Sequence, residues 1–406
     1  IYNMRSDGND KWLFIANGDK PSRMNGNDGV PTNLIVTVNG NYNPELYDTL
    51  SGEIIKDIPF VARGGKTKMS FTVFAYDSLL LKLTPTFDGD KYEKKSTEEK
   101  HTREVKFLDK VGYILDEPNV LLLDMPEWSM DGKTYEPREE TLRIDAKIRK
   151  IYGYPAADGN DVQPWKIKEP APDKFPYLRF TFDSEIELSG CKFAYERATE
   201  LYLNGEKVDI EPNGYFTDSE IYTTDLPTIK KGKNVLVVRA PISKRISLEN
   251  VFILGNFGVK VEGTHARITP LADKIAFGSI TDQGLPFYGG KITYVLPIEV
   301  SGGNVKIKAD YYDGALMSVS VDGKRAGRIA FAPYELDLGS LTKGKHTVEL
   351  TLYASRINSF GSLHCCVPFR WKGPAYWYQT GNKFSYEYCL TPIGVMKSPV
   401  FTLEEK

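Results

Sequence analysis

Histidine is scarce in this chain, with four residues in 406. So few imidazoles leave little room for zinc sites or histidine-based catalysis, which need His at several defined positions. Cysteine is as sparse. Cys191, Cys365, Cys366 and Cys389 are too few for a disulfide framework, and no Cys-x-x-Cys pair occurs. The adjacent Cys365 and Cys366 make a poor mutual bridge because neighbouring residues force strained geometry. Reduced thiols acting as small apolar groups are expected. Neither sign of charge dominates, with 52 basic against 54 acidic residues. No basic stripe is visible, which argues against nucleic acid as a partner. No apolar run approaches the roughly 18 residues of a membrane span, so no membrane partner is expected. A signal-peptide pattern is missing too, and the first residue is Ile1, not Met. The chain is therefore expected to start inside a longer protein, and such a start leaves localisation open.

What is present is β-structure. Apolar and polar residues alternate in "LIVTVNG" (34–40), "MSFTVFAYDSLLLKL" (69–83), "YLRFTFDSEIEL" (177–188), "NVLVVRA" (234–240), "KITYVLPIEV" (291–300) and "HTVELTLYA" (346–354). Gly, Asn, Asp and Pro punctuate these runs, as expected for strands and turns. One stretch reads as a helix, 137–153, with Pro and Glu at its start, Gly at its end, and Leu142, Ile144, Ile148 and Ile151 on one face. Strands do not alternate with long helices, which excludes a (β/α)₈ barrel or a nucleotide-binding fold. The expected class is mainly β, as tandem β-sandwiches. The length asks for about two to four domains. The blocks expected are 1–84, a small β-sandwich; 85–104, a charged linker or exposed hairpin; 105–268; and 269–406.

The last two blocks echo each other. "LYLNGEKV" (201–208) is followed by "TDLPTIKKGKNVLVV" (224–238), and "VSVDGKRAG" (319–327) by "YELDLGSLTKGKHTVEL" (334–350). Each is a strand, an Asn-Gly or Asp-Gly turn, a strand, an Asp-Leu segment, then Lys-Gly-Lys and a long strand. Both dipeptides suit the positive φ angles of a two-residue hairpin. Two related sandwich modules in tandem follow from the repetition.

This run of elements resembles the galactose-binding-like "sugar-binding" jelly rolls of glycoside hydrolase family 2. The segments "LENVFILGNFGV" (248–259), "GSITDQGLPFYGGKITYVLPIEV" (278–300) and "LYASRINSFGSLHCC" (352–366) are similar to C-terminal parts of large α-L-rhamnosidase-like bacterial glycosidases. The opening "KWLFIANGD … PELYDTLSGEI" (11–54) looks like the small β-domain that follows the catalytic barrel in such enzymes. The resemblance implies two galactose-binding-like jelly rolls, 105–268 with the 137–153 helix inserted and 269–406, preceded by the small sandwich. It implies a non-catalytic accessory region, carbohydrate-binding or scaffolding, of a multidomain bacterial glycoside hydrolase acting on complex glycans. Its partners would be carbohydrate and the parent enzyme's catalytic barrel. The alternatives are a self-contained all-β carbohydrate-active enzyme and a structural or adhesion protein without glycan affinity.

No catalytic residue is assigned. Glycoside hydrolysis usually needs two carboxylates across the scissile bond. Asp282, Glu335 and Asp337 read instead as turn and strand-end acids. A carbohydrate site is expected where "PFRWKGPAYWYQTGNKFSYEY" (368–388) crowds aromatic rings. Trp371, Tyr376, Trp377 and Tyr378 offer flat faces for sugar C–H groups, and Arg356, Asn358 and His364 offer polar partners for hydroxyls. The competing use of these rings is packing. No cofactor is expected. The metal question stays open, with "GNDGVP" (26–31), "AADGND" (156–161) and "DYYDG" (310–314) offering oxygens for a structural calcium.

Overall fold

The computed structural model describes residues 1–18, 30–49, 51–87, 89–91, 102–107, 109–155, 171–367 and 380–404. They are mainly β, in antiparallel sheets that form tandem sandwiches. By contact density the chain forms two units from separated segments. The first is Ile1–Asp109, Val295–Thr351 and Val395–Lys406; the second is Lys110–Tyr294 and Leu352–Gly394.

In the first unit, one sheet runs Tyr2–Asp7, Asp10–Ala16, Ser78–Pro85, Tyr42–Tyr47, Ile54–Ile55. Another runs Thr32–Asn39, Lys66–Val73, Phe60–Arg63, Gly89–Lys91. Leu13, Leu81 and Leu83 from the first sheet meet Val36, Phe60 and Met69 from the second in one buried cluster. The run 69–83, which alternates without a break in sequence, is two strands. At "FAYD" Tyr76 takes φ 63°, and Asp77 donates its N–H to the Phe74 carbonyl while its side chain accepts from Ser78 N. This turn passes the chain from one sheet to the other. A further sheet of the unit runs Thr102–Val105, Val400–Glu404, Gly303–Lys308, Glu335–Leu341.

In the second unit, one sheet orders Asn119–Leu123, Val251–Gly255, Lys192–Tyr195, Asp218–Asp225 and Tyr215–Phe216. The other orders Glu206–Val208, Glu200–Leu203, Gly232–Arg239, Tyr177–Ser184, His265–Thr269 and Gly258–Glu262, with Glu127–Ser129 also on Tyr177–Ser184. Phe180, Leu201, Leu236 and Val238 of the latter share a core with Val120, Phe193 and Ile253 of the former.

The echo in the sequence has one structural form. Asn204 sits at φ 54°, its N–H donates to Val235 O, and its Oδ1 accepts Val235 N at 2.9 Å while its Nδ2 donates to Asn234 Oδ1. Asp322, at φ 49°, does the same: its N–H donates to Thr347 O, its Oδ1 accepts Thr347 N at 2.9 Å, and its Oδ2 accepts from His346 Nδ1 at 2.6 Å. The turn residue thus clamps the residue that follows "KGK" and the one after it. Asn and Asp reach a left-handed conformation more easily than other non-glycine residues and carry the acceptor the clamp needs. Asn204→Ala should remove both advantages and lower stability by roughly 1–2 kcal/mol. Urea unfolding at neutral pH measures this; an unchanged midpoint would show that the clamp contributes nothing.

The helix Thr141–Tyr152 is capped by Glu140, whose carboxylate accepts Arg143 N at 2.9 Å, and ended by Gly153 at φ 65°. Ile144 and Ile148 are buried as the spacing predicts, but Ile151 is 62% exposed. The rest of the buried stripe is polar: Thr141, Asp145 and Arg149. Arg149 Nε donates to Asp145 Oδ2 at 2.5 Å, and its Nη atoms donate to Pro155 O, Lys244 O, Ile246 O and Ser247 Oγ. Asp145 Oδ1 accepts Leu248 N at 2.9 Å. An ion pair, not an isoleucine, fastens the helix end to the 244–248 segment.

Candidate functional site

The second unit carries an acid-lined recess. Asp124 follows directly on the strand Asn119–Leu123, and its carbonyl accepts both Thr141 N and Thr141 Oγ1. This tie sets Glu140, the helix cap, beside it. Glu196 and Glu249 come from the loops after Lys192–Tyr195 and before Val251–Gly255. The wall also includes Asn250, Phe252, Ser362, His364 and Phe384, around a volume of about 80 Å³.

Asp124 is the buried centre. Its Oδ1 accepts from Tyr388 Oη at 2.6 Å and its Oδ2 from His364 Nε2 at 3.1 Å. His364 Nδ1 lies 2.9 Å from the Ser385 carbonyl. Carbonyl and carboxylate can only accept, so both ring nitrogens carry protons and His364 is an imidazolium. Burial works against that charge. The hydrogen bond and field of Asp124, the field of Glu140 and the Ser385 carbonyl outweigh it, and the net shift is upward. Burial likewise drives the Tyr388 phenol up, with the Asp124 carboxylate adding to it.

Glu140 is 5% exposed. Burial pushes its carboxyl up to about 7 against the amide hydrogen bonds of Leu142 and Arg143. Glu249 is pushed up to about 8, first by the protein around it and then by Glu196 and Asp145. Burial also raises Glu196, with Arg197 opposing and Asp218 and Glu220 adding to it. Both Glu196 and Glu249 keep exposed surface, so the recess crowds these carboxyls without sealing them from water, which offsets part of the shift. Asn250 Oδ1 is buried with no hydrogen-bond partner among the described residues. Chemically the recess accepts hydrogen bonds from hydroxyls and offers apolar ring surface at Phe252 and Phe384. Its volume lies well below the ~300 Å³ where pockets begin to enclose a small molecule, so it suits one edge of a ligand.

Of the expected site residues, His364 lines this recess and Arg356 and Asn358 do not. Arg356 makes a bidentate ion pair with Glu117 and lies over the Phe216 ring at 5.6 Å. Gly289 and Gly290 make room for the pair: a Cβ would fall 2.6 Å from Arg356 Cδ and 2.6 Å from Glu117 Cδ, respectively. Asn358 is 1% exposed; its Nδ2 donates to Thr391 O and its Oδ1 accepts Thr391 N. Both brace the loop that carries His364. Trp371, Tyr376, Trp377 and Tyr378 lie outside the described residues. Sequence reasoning passed over Asp124, Glu140 and Glu249. The only local signal was Glu140 at the foot of a helix, because Asp124 and His364 stand 240 positions apart.

All four cysteines are free. No group of three or more His, Cys, Asp or Glu among the described residues is arranged to hold a metal ion, and no described helix is long and apolar enough to cross a membrane. Most of 26–31 and all of 156–161 lie outside the described residues.

No protein-family model and no curated protein matches the chain. Among solved structures it is similar to a rhamnosidase from Novosphingobium sp. PP1Y, at 13% sequence identity and a TM-score of 0.40. The alignment covers 99% of this chain and 23% of the rhamnosidase chain, so the protein spans under a quarter of that structure's length.

Proposed function

We propose that this chain is an accessory, non-catalytic region of a multidomain bacterial glycoside hydrolase, and that it holds glycan at the recess beside His364. The observation that carries the reading is the repeated hairpin clamp, Asn204 with Asn234 and Asp322 with His346. These residues belong to the motif pair that resembles sugar-binding jelly rolls. The recess supports the reading with acceptors for sugar hydroxyls at Glu140, Glu249 and Asn250 beside two aromatic rings. Trp371, Tyr376, Trp377 and Tyr378 stand in sequence between His364 and Phe384, both of the recess wall, and are kept as stacking residues. The partners under this reading are carbohydrate and the catalytic barrel of the parent enzyme.

Calorimetric titration with neutral plant and host oligosaccharides tests it. Wild type should bind at least one, and Glu249→Ala should weaken that binding roughly three- to tenfold through loss of a hydrogen-bonding carboxyl. Trp377→Ala should weaken it as well. A wild type that binds no glycan favours a structural or adhesion role. A second reading, a self-contained enzyme, draws on the raised carboxyls of Glu140 and Glu249 in one recess. Turnover of aryl glycosides, abolished by Glu140→Gln or Glu249→Gln, would replace the accessory reading with it.

A further inference from the structure

The sheet of the second unit has a window. Tyr177–Ser184 is paired with Gly232–Arg239 along its whole length on one edge. On its other edge Glu127–Ser129 covers Tyr177, Leu178 and Arg179, and His265–Thr269 covers only Asp183 and Ser184. No strand covers Phe180, Thr181 and Phe182 on that edge among the described residues; strand alternation turns the main chain of Phe180 and Phe182 to Leu236 and Asn234, so Thr181 is the one whose N–H and C=O face the window. Main-chain N–H and C=O groups facing away from a neighbouring strand need water or a ligand. The side chains of Phe180 and Phe182 are 2% and 3% exposed. The window is therefore polar along its main chain and apolar where those rings back it.

A cavity of about 300 Å³ opens at this place, lined by Phe180, Thr181, Phe182, Asp183, Arg138 and His265, and it shares a wall with the recess at Asp124, whose partner Tyr388 also lines it. That volume reaches the lower end of the range in which pockets enclose a small molecule, ~300 Å³. The charges around it are not alike. Lys260 pairs with Glu262 at 2.7 Å, and Arg267 pairs with Glu262 at 2.5 Å and Glu185 at 3.0 Å. Arg138 has no carboxylate partner among the described residues. Its Nε donates to Met125 O at 2.9 Å, its Nη2 to Thr264 O at 2.6 Å and its Nη1 to His265 Nε2 at 3.1 Å. His265 accepts there because its Nδ1 proton is directed to Thr264 Oγ1 at 3.0 Å. Every partner of Arg138 is neutral. A guanidinium has five N–H groups and does not lose its charge in a protein, so two donors remain for a planar anion.

We propose that this cavity is a further ligand site that takes a carboxylated sugar of the hexuronic acid class. The carboxylate sits on the spare donors of Arg138. The ring hydroxyls exchange hydrogen bonds with the outward-facing N–H and C=O of Thr181 and with the Asp183 carboxylate. A polyol suits such a wall because each hydroxyl both donates and accepts, which the N–H and C=O of Thr181 together require. The inference needs no glycan in the recess beside His364, and it stands if that reading falls.

The test is titration of the whole chain with D-galacturonate and D-glucuronate against D-galactose and D-glucose, at low and at high salt. One uronate should bind at least tenfold more tightly than its neutral counterpart, with a preference that shrinks as salt rises. Arg138→Gln should abolish the preference, and Arg138→Lys should retain part of it. Wild-type protein that binds uronate and neutral sugar equally, or binds neither, overturns the proposal. So does a folded Arg138→Gln variant that keeps the preference.

Discussion

Arg149→Ala is expected to destabilise the second unit by about 3–5 kcal/mol, the usual penalty for removing one partner of a buried ion pair. Arg149 and Asp145 are 2% and 3% exposed. Asp145 is already strained by burial, which raises its carboxyl despite the Leu248 amide and the Arg149 guanidinium. Without the guanidinium, that carboxylate loses its main compensation. The carbonyls of Lys244 and Ile246 lose a donor at the same time. Hydrogen exchange of the Thr141–Tyr152 amides reports on this unit without assuming that the whole chain unfolds in one step. Protection should fall along the helix and at Leu248. Replacing both charges, as Asp145→Leu with Arg149→Met, should recover much of the loss because the desolvation penalty disappears with the pair. A single Arg149→Ala variant with wild-type protection would rule out the ion pair as the fastening of this helix.

Stability should also decline as pH rises from about 5 to 8. Glu140 titrates near 4.5 when unfolded and is held up to about 7 in the fold. Between those values the folded state binds the proton that the unfolded state has released, so stability falls with rising pH. The shift corresponds to a loss on the order of 3 kcal/mol across that window. His364 acts in the same direction. Its folded value lies above the ordinary 6.5, so its contribution is complete below 6.5 and is lost as pH passes the raised value. Asp124 faces both groups, opposing ionisation of Glu140 and favouring the charge on His364. Thermal unfolding followed from pH 5 to pH 8 should show the decline in wild type. Glu140→Gln can still accept Arg143 N and should show a shallower one. Equal slopes for the two proteins would remove Glu140 as the source.

The β class and the paired hairpins were legible because both are local. Alternation fixes which side chains turn inward, as in the buried Thr67, Met69 and Val73 of Lys66–Val73. The dipeptides "NG" and "DG" announce their own φ angles. Legibility failed where a contact joins distant residues. Glu117 and Arg356 are 239 positions apart, and no spacing rule links them. Asp124 reads in sequence as the acid ending an apolar run; its role appears only when His364 and Tyr388 arrive from the other end of the unit. The helix misled for a different reason. Its apolar spacing nominated Ile151, but Arg149 gains several buried carbonyl acceptors that an isoleucine could not use. Asn358 looked like a ligand donor and is a backbone brace, because an Asn side chain can mimic a peptide group and pair with one, as it does with Thr391.

The interleaving of the two units bears on how the chain is made. Synthesis delivers residues from the N-terminus at roughly 5–20 per second, and domains built from one continuous stretch fold as they emerge. The sheets within residues 2–91 are one such stretch, but neither unit is complete without segments from far along the chain. Thr102–Val105 awaits Val400–Glu404, and the Asp124 carboxylate awaits His364, each across most of the chain. Completion of both units therefore comes only when translation of this region is nearly over. Until then Asp124 has neither its imidazolium nor its tyrosine.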